Sequence, residues 1–238
     1  PAMLNTIKMP YTHSGILASA IGMNKDISKK IFRYHNVPVA DSFVVSHKEI
    51  TNESYIETLK KYSWKKAVIK PISGGSSIGL MIVDACTNQI PSIKKYDLKT
   101  VYDPNDQFLI EEYVGGKELN VCIFGDRVEI MEVIFDGEIF DYKTKYTRDL
   151  SAHQMNPDIP SNFREQMIES ARSIHNGIGC RSVSRVEFKM SSDKFVALEI
   201  NTHPGMTGYS ILPDIAKHYG YSFEELIDMI IKDASYES

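Results

Sequence analysis

Val183-Ser184-Arg185-Val186-Glu187-Phe188-Lys189-Met190-Ser191-Ser192-Asp193-Lys194-Phe195-Val196-Ala197-Leu198-Glu199-Ile200-Asn201 reads as two strands joined by a short polar turn. With residues 192–194 as the loop, Glu187 faces Glu199 and Arg185 faces Asn201. Side chains alternate along a strand, so these four share one face. Val186, Phe188, Leu198 and Ile200 share the other, which is the core side. Directly opposed like charges destabilise a sheet pair. A divalent cation relieves that repulsion, and two carboxylates with an amide carbonyl are hard oxygen donors suited to Mg²⁺. The alternative is a solvated polar face with both glutamates splayed into water.

Working outward, further strands come in series at residues 67–70, 80–83, 108–113, 119–124 and 127–135, the last running on to Phe140; residues 39–45 form a short apolar strand. Asp136-Gly137 is a hairpin signal. Helical spacing marks residues 14–35, 53–62 and 161–177. Asn162 and Glu165 fit a capping box at the start of the third helix, and Ser222 with Glu225 fits another before the last helix. Residues 144–160 are polar with little periodicity, which reads as a disordered loop or a lid. Strands in hairpins flanked by helices predict an α+β fold with mainly antiparallel sheets. Gly115-Gly116 is the expected seam between two subdomains.

Composition bounds the function. The 238 residues carry 42% hydrophobic residues, enough for a sizeable core, and a net charge of −4. That charge gives no electrostatic footprint for nucleic acid or an anionic membrane surface. No apolar run approaches the ~20 residues of a membrane helix. Cys86, Cys122 and Cys180 are odd in number and far apart, which fits a reducing, cytoplasmic setting and small buried side chains. The chain opens at Pro1, and residues 2–7 resemble the end of an amphipathic helix, so upstream sequence is expected.

Three other stretches carry chemistry. Lys70-Pro71-Ile72-Ser73-Gly74-Gly75-Ser76-Ser77-Ile78-Gly79 ends a strand with a cation and continues as a Gly/Ser loop whose amides and hydroxyls suit phosphates. Leu80-Met81 stands where a P-loop needs Lys-Ser/Thr, so it is not one; an ordinary Gly-rich turn is the alternative. Phe108-Leu109-Ile110-Glu111-Glu112-Tyr113-Val114-Gly115-Gly116-Lys117-Glu118 runs an apolar strand into acids, suiting a purine on exposed backbone or a plain linker. Asn201-Thr202-His203-Pro204-Gly205-Met206-Thr207-Gly208-Tyr209-Ser210 leaves the acidic hairpin with amides able to hold an oxyanion. His203 has no paired Ser or Cys and reads as structural.

In this order the stretches resemble the ATP-grasp superfamily and, within it, the D-alanine–D-alanine ligase family. The matches are Pro10-Tyr11-Thr12-His13-Ser14-Gly15, the Lys70 to Gly79 segment, Asp141-Tyr142-Lys143-Thr144-Lys145-Tyr146, Arg185-Val186-Glu187, and Glu199-Ile200-Asn201-Thr202-His203-Pro204-Gly205-Met206-Thr207. The resemblance implies ATP-driven joining of two D-alanines through an acyl phosphate, for peptidoglycan precursors. It places Lys25, Lys70, Ser77 and Lys145 at ATP phosphates, Glu111, Glu112 and Val114 at adenine and Glu118 at ribose. Glu187, Glu199 and Asn201 would hold two Mg²⁺ (or Mn²⁺). Arg185 and the Gly205 amide would stabilise the tetrahedral intermediate, while Ser210 and the Ile211 amide take the second carboxylate. Ser76 and Tyr146 would link the Gly-rich loop to the lid, and Tyr146 favours an amine nucleophile over lactate.

The resemblance also implies a remnant of an N-terminal domain at 1–23, a central subdomain at 24–114 and a C-terminal subdomain at 115–238. Most of the family's N-terminal domain, which helps to fix the first D-alanine and often carries the homodimer contact, has no counterpart in these residues. The chain alone is thus expected to bind ATP yet ligate poorly. Glu187 stands where the family usually has Asp, and Phe140 where Tyr is common. The other readings are a different ATP-grasp carboxylate–amine ligase, a nucleotide-binding domain without turnover, and a metal-dependent hydrolase.

Overall fold

The computed structural model describes residues 1–50, 52–85, 103, 105–137, 147 and 150–237. Cys86, Phe140, Lys145 and Tyr146 lie outside the described residues. Seven α-helices are described, besides a 3-10 turn at His47–Glu49: α1 (Ala2–Thr6), α2 (Ile16–Met23), α3 (Lys25–Tyr34), α4 (Asn52–Tyr62), α5 (Ser161–Ile178), α6 (Ile211–His218) and α7 (Phe223–Lys232). The nine described strands are β1 (Ser42–Ser46), β2 (Lys66–Pro71), β3 (Met81–Asp84), β4 (Gln107–Glu112), β5 (Lys117–Phe124), β6 (Arg127–Phe135), β7 (Ser151–Met155), β8 (Val183–Met190) and β9 (Phe195–Asn201).

They form two antiparallel sheets, ordered β1-β4-β2-β3 and β7-β6-β5-β8-β9. Gly115 and Gly116 lie between the last strand of the first sheet and the first strand of the second. Gly116 sits at φ +100°, and a Cβ there would stand 2.1 Å from the Met190 carbonyl oxygen. Only a residue without a side chain lets β5 start so close to the end of β8.

The first sheet buries Ala67, Ile69, Val83, Phe108 and Ile110 with Leu59 of α4 and Trp64. The second separates two apolar layers. Behind it, Leu119, Val121, Val186, Phe188 and Ile200 pack against Met167, Ala171, Ile174 and Ile178 of α5 and Phe32 of α3. At the far end of its front face, Phe124, Met131 and Val133 pack on Leu212 and Ile215 of α6 and Leu226 and Ile230 of α7. Cys122 is buried there, and burial pushes its thiol up to about 12, far from reactivity.

Several expectations are corrected. The helix expected over 14–35 is two helices, broken at Asn24, which adopts extended φ/ψ of −113° and 103° and caps α3 by accepting from the Ile27 amide. The capping box at Asn162 and Glu165 does not form; Pro160 is the N-cap of α5 and makes no side-chain cap bond. The stretch expected as a loop over 144–160 contains β7, paired to β6 with His153 opposite Val133. The Ser222–Glu225 box forms in both directions, at 3.1 and 2.8 Å.

The 183–201 hairpin pairs Arg185 with Asn201, Val186 with Ile200 and Glu187 with Glu199, the predicted register. A β-bulge then shifts it, so that Phe188 pairs Ala197. Ala197 takes the core place and Leu198 turns to the front face, where it meets Ala40, Val114 and Val196. Leu198 is thus not a core-side residue. A bulge places two successive residues against one and re-aims a side chain; here Leu198 and Glu199 both face forward.

Candidate active site

Paired residues on adjacent strands point to the same side, so the front face can be read in rows across the second sheet. One row runs His153, Val133, Glu118, Lys189. The next runs Met155, Met131, Asn120, Glu187, Glu199. Cys122, Arg185 and Asn201 follow. Charge is concentrated on β5, β8 and β9.

A cleft between the sheets is lined by Lys25, Lys70, the loop from Ser73 to Ile78, Glu111, Glu112, Val114, Glu118, Glu187 and Glu199. Val68, Leu80, Ile82 and Leu198 supply its apolar walls. Lys25 begins α3; its Nζ donates to the Gly74 carbonyl at 2.9 Å and lies 3.6 Å from Glu199 Oε2. Burial pulls its ammonium below the ordinary value, with Glu199 opposing. Lys70, at the end of β2, pairs with Glu111 of β4, whose other oxygen lies 2.6 Å from Lys29 Nζ. Burial alone would raise the Glu111 carboxyl, but Lys70 and Lys29 hold it below the usual range.

The remaining acids of the cleft are also paired. Lys189 Nζ lies 3.1 Å from Glu118 Oε2. Lys194 Nζ contacts both Glu112 oxygens at 2.9 and 3.0 Å, which ties that carboxylate to the turn of the 183–201 hairpin. In the Gly-rich loop, Ser76 and Ser77 hold left-handed φ of 55° and 57°, conformations uncommon for residues with a Cβ.

A second cavity of about 840 Å³ shares Gly74, Gly75, Ser76 and Glu199 with the cleft, so the two spaces meet at the loop and that carboxylate. Arg185, Asn201, Gly205, Ser210, Ile211, His153 and Asp214 also line it. Arg185 pairs with Glu187 from the same strand face. Ser210 is the N-cap of α6, and its hydroxyl accepts from the Thr207 amide at 2.9 Å. A Cβ on Gly205 would stand 2.8 Å from that hydroxyl oxygen. His153 Nδ1 lies 2.6 Å from Asp214 Oδ2, joining β7 to α6.

The donor set fits a hard divalent cation. Glu187 and Glu199 are direct cross-strand partners on a face where Arg185 and Lys25 are the neighbouring cations. The Asn201 carbonyl oxygen already fixes the His203 amide at 3.0 Å, which orients it and leaves one lone pair. Among the described residues, no group of three or more His, Cys, Asp and Glu forms a cluster of metal-binding shape, so the donors number two carboxylates and an amide.

Sequence reasoning missed Lys29, Leu198, Lys189, His153 and Asp214. Lys29 is separated from its partner by most of the first sheet, Leu198 needs the bulge, and His153 lies in the stretch expected to be a loop. The Lys70–Gly79 loop, the Glu111–Glu118 stretch and the Arg185–Ser210 stretch announced the neighbourhood without these five side chains.

Two antiparallel sheets closing on a lysine-lined cleft, with opposed carboxylates at its floor, define an ATP-grasp protein. The description "D-ala D-ala ligase C-terminus" matches residues 31–232. The D-alanine–D-alanine ligase of Rickettsia massiliae (strain Mtu5) is 37% identical over 243 residues, spanning 100% of this chain and 71% of that protein. That of Pelagibacter ubique (strain HTCC1062) is 39% identical over 236 residues, 98% of this chain and 75% of that one. The solved D-alanine–D-alanine ligase from Bacillus anthracis complexed with ATP matches with a TM-score of 0.75 at 28% identity, covering 98% and 72%. The chain belongs to the D-alanine–D-alanine ligase family.

Proposed function

We propose that this chain carries the nucleotide and acyl-transfer machinery of an ATP-dependent D-alanine–D-alanine ligase. The observation that carries the reading is the continuity of the two cavities through Gly74–Ser76 and Glu199. A nucleotide in the cleft can then present its terminal phosphate to a carboxylate in the larger cavity. The family's ATP-bound relative supports the nucleotide. The subdomains at 24–114 and 115–238 are the halves between which it binds.

Phosphoryl transfer asks for cations and exclusion of water more than for a nucleophilic side chain. Lys25 and Lys70 hold phosphate oxygens, and the Ser73–Ile78 loop covers them. Glu111 and Lys29 keep Lys70 in place. Leu198, Val68 and Ile82 sandwich the purine, with Glu112 and Val114 at its edge and Glu118 at the ribose. Glu187, Glu199 and Asn201 would hold Mg²⁺, which would supply charge neutralisation for phosphoryl transfer. Arg185 and the Gly205 amide face the oxyanion that develops on the attacked carbonyl. Ser210 and the Ile211 amide, at the positive end of α6, receive the second carboxylate.

The test is phosphate release from Mg·ATP by the intact gene product, with and without D-alanine. Release that rises with D-alanine and yields dipeptide supports the reading. Release indifferent to D-alanine, with another amino acid stimulating it, overturns the substrate assignment.

A further inference from the structure

The second amino acid reaches such a site as a zwitterion, and its ammonium must lose a proton before nitrogen can attack. Arg185 stays charged at any working pH, and ordinary carboxylates are weak bases toward an ammonium. Among the described residues lining the larger cavity, His153 is the one imidazole.

Resting on the ligase reading, we infer that His153 is the general base that deprotonates the incoming amine and that Asp214 is its positioning residue. Asp214, a carboxylate, can only accept at 2.6 Å, so the His153 Nδ1 carries the proton. That fixes the tautomer and leaves the Nε2 lone pair, which has no hydrogen-bond partner among the described residues, for a proton. Asp214 lies three residues after Ile211 in α6, on the same helix face and about 4.5 Å along the axis. Helical side chains lean toward the N-terminus, so the pair stands beside the end of the helix assigned to the substrate carboxylate. In an α-amino acid the ammonium is two bonds from that carboxylate carbon, within reach of the pair.

His153 faces Val133 of β6, between Ser151 and Met155 of its own strand, with Glu118 one strand further on. Asp214 approaches from α6, while Arg185 and Glu199 line the same cavity from β8 and β9. In the step, Nε2 takes one ammonium proton. The freed lone pair forms the C–N bond at the acyl carbon, and the C–O bond to phosphate breaks with its electron pair leaving on phosphate. The second proton of the new amide nitrogen and the one held by His153 pass to solvent.

The experiment compares two acceptors for the same acyl phosphate in the intact protein: D-alanine, which needs a base, and hydroxylamine, whose nitrogen is already unprotonated at neutral pH. In H153Q the ratio of dipeptide to D-alanyl hydroxamate falls about 100-fold at neutral pH, and the deficit shrinks as pH rises and free amine accumulates. D214N, which keeps the imidazole but not its orientation, shows a smaller fall in the same ratio. Equal loss with both acceptors, or an unchanged ratio at every pH, makes the pair a structural tie between β7 and α6 and overturns the inference. ATP- and D-alanine-dependent hydroxamate from the wild type tests the ligase reading separately; its absence removes both.

Discussion

Lys29 Nζ lies 2.6 Å from Glu111 Oε2, and the two side chains are 1% and 3% exposed. Glu111 also holds Lys70 from its other oxygen. The arrangement is a carboxylate between two ammoniums at the floor of the cleft, with Lys29 further anchored to the Ala40 carbonyl at 3.1 Å. Loss of Glu111 would leave two buried ammoniums facing each other, and loss of Lys29 leaves Glu111 with Lys70 alone and strips the donor from the Ala40 carbonyl.

Lys29→Met is therefore expected to destabilise the fold by roughly 1–3 kcal/mol, the cost of leaving a buried carboxylate oxygen and a carbonyl without their donor. Nucleotide affinity should fall as well, because Glu111 then draws Lys70 away from phosphate. Urea unfolding and calorimetric titration with ATP measure the two effects. A variant as stable as wild type with unaltered affinity would show that Lys29 is a bystander.

The bulge gives a paired prediction. Leu198→Ala removes an apolar wall of the cleft and should weaken ATP binding with little change in melting temperature. Ala197→Leu forces methylenes into the core behind the sheet and should cost about 1–3 kcal/mol. If the hairpin kept strict alternation, with no bulge, the two outcomes would be exchanged.

The same hairpin shows what a linear reading can and cannot reach. Opposed glutamates are legible because a period-two pattern fixes the face once the turn is placed, and the register at Glu187 and Glu199 follows. The bulge is not legible, since Phe195-Val196-Ala197-Leu198 is apolar throughout and either assignment buries a hydrophobe. β7 hides for another reason: Ser151-Ala152-His153-Gln154-Met155 faces a cavity rather than a core, so it lacks apolar alternation. α6 hides behind Pro213, which looks like a breaker but sits in the first turn, where the missing N–H costs nothing.

Gly116→Ala tests the seam. Its φ of +100° and the Met190 carbonyl 2.1 Å from the added Cβ leave no room and no relaxed conformation. The backbone itself must shift, so the loss should exceed the ~1 kcal/mol of an ordinary Gly→Ala mismatch. Gly137→Ala, at φ +112° but with no atom of the described residues within 4 Å of its Cβ, isolates the conformational part. Equal costs at both positions would show that the approach of β5 to β8 is not tight.

Asn120 stands opposite Glu187, is 1% exposed, and has no hydrogen-bond partner for either side-chain polar atom among the described residues. A buried amide left unpaired costs roughly 1–3 kcal/mol. Asn120→Leu, similar in volume, should therefore raise the melting temperature of the ligand-free protein, and Asn120→Asp should lower it by burying a charge beside Glu187. A drop with both would mean that a partner for the amide had been removed.

Stability should also fall on mild acidification, and His175 is one identifiable cause. Its ring on α5 meets the buried Ser184 hydroxyl at 2.7 Å, and burial lowers its pKa in the folded state. The unfolded chain then binds the proton more readily than the folded one. Stability from this group is complete above the ordinary histidine value of about 6.5 and is lost as pH falls from there toward the depressed folded value. His175→Gln can keep a hydrogen bond to Ser184 but has no proton to gain. Urea midpoints measured between neutral pH and the depressed value should thus decline less steeply in the variant than in the wild type. Parallel declines would place the acid sensitivity elsewhere, and a steeper decline in the variant would reverse the assigned direction.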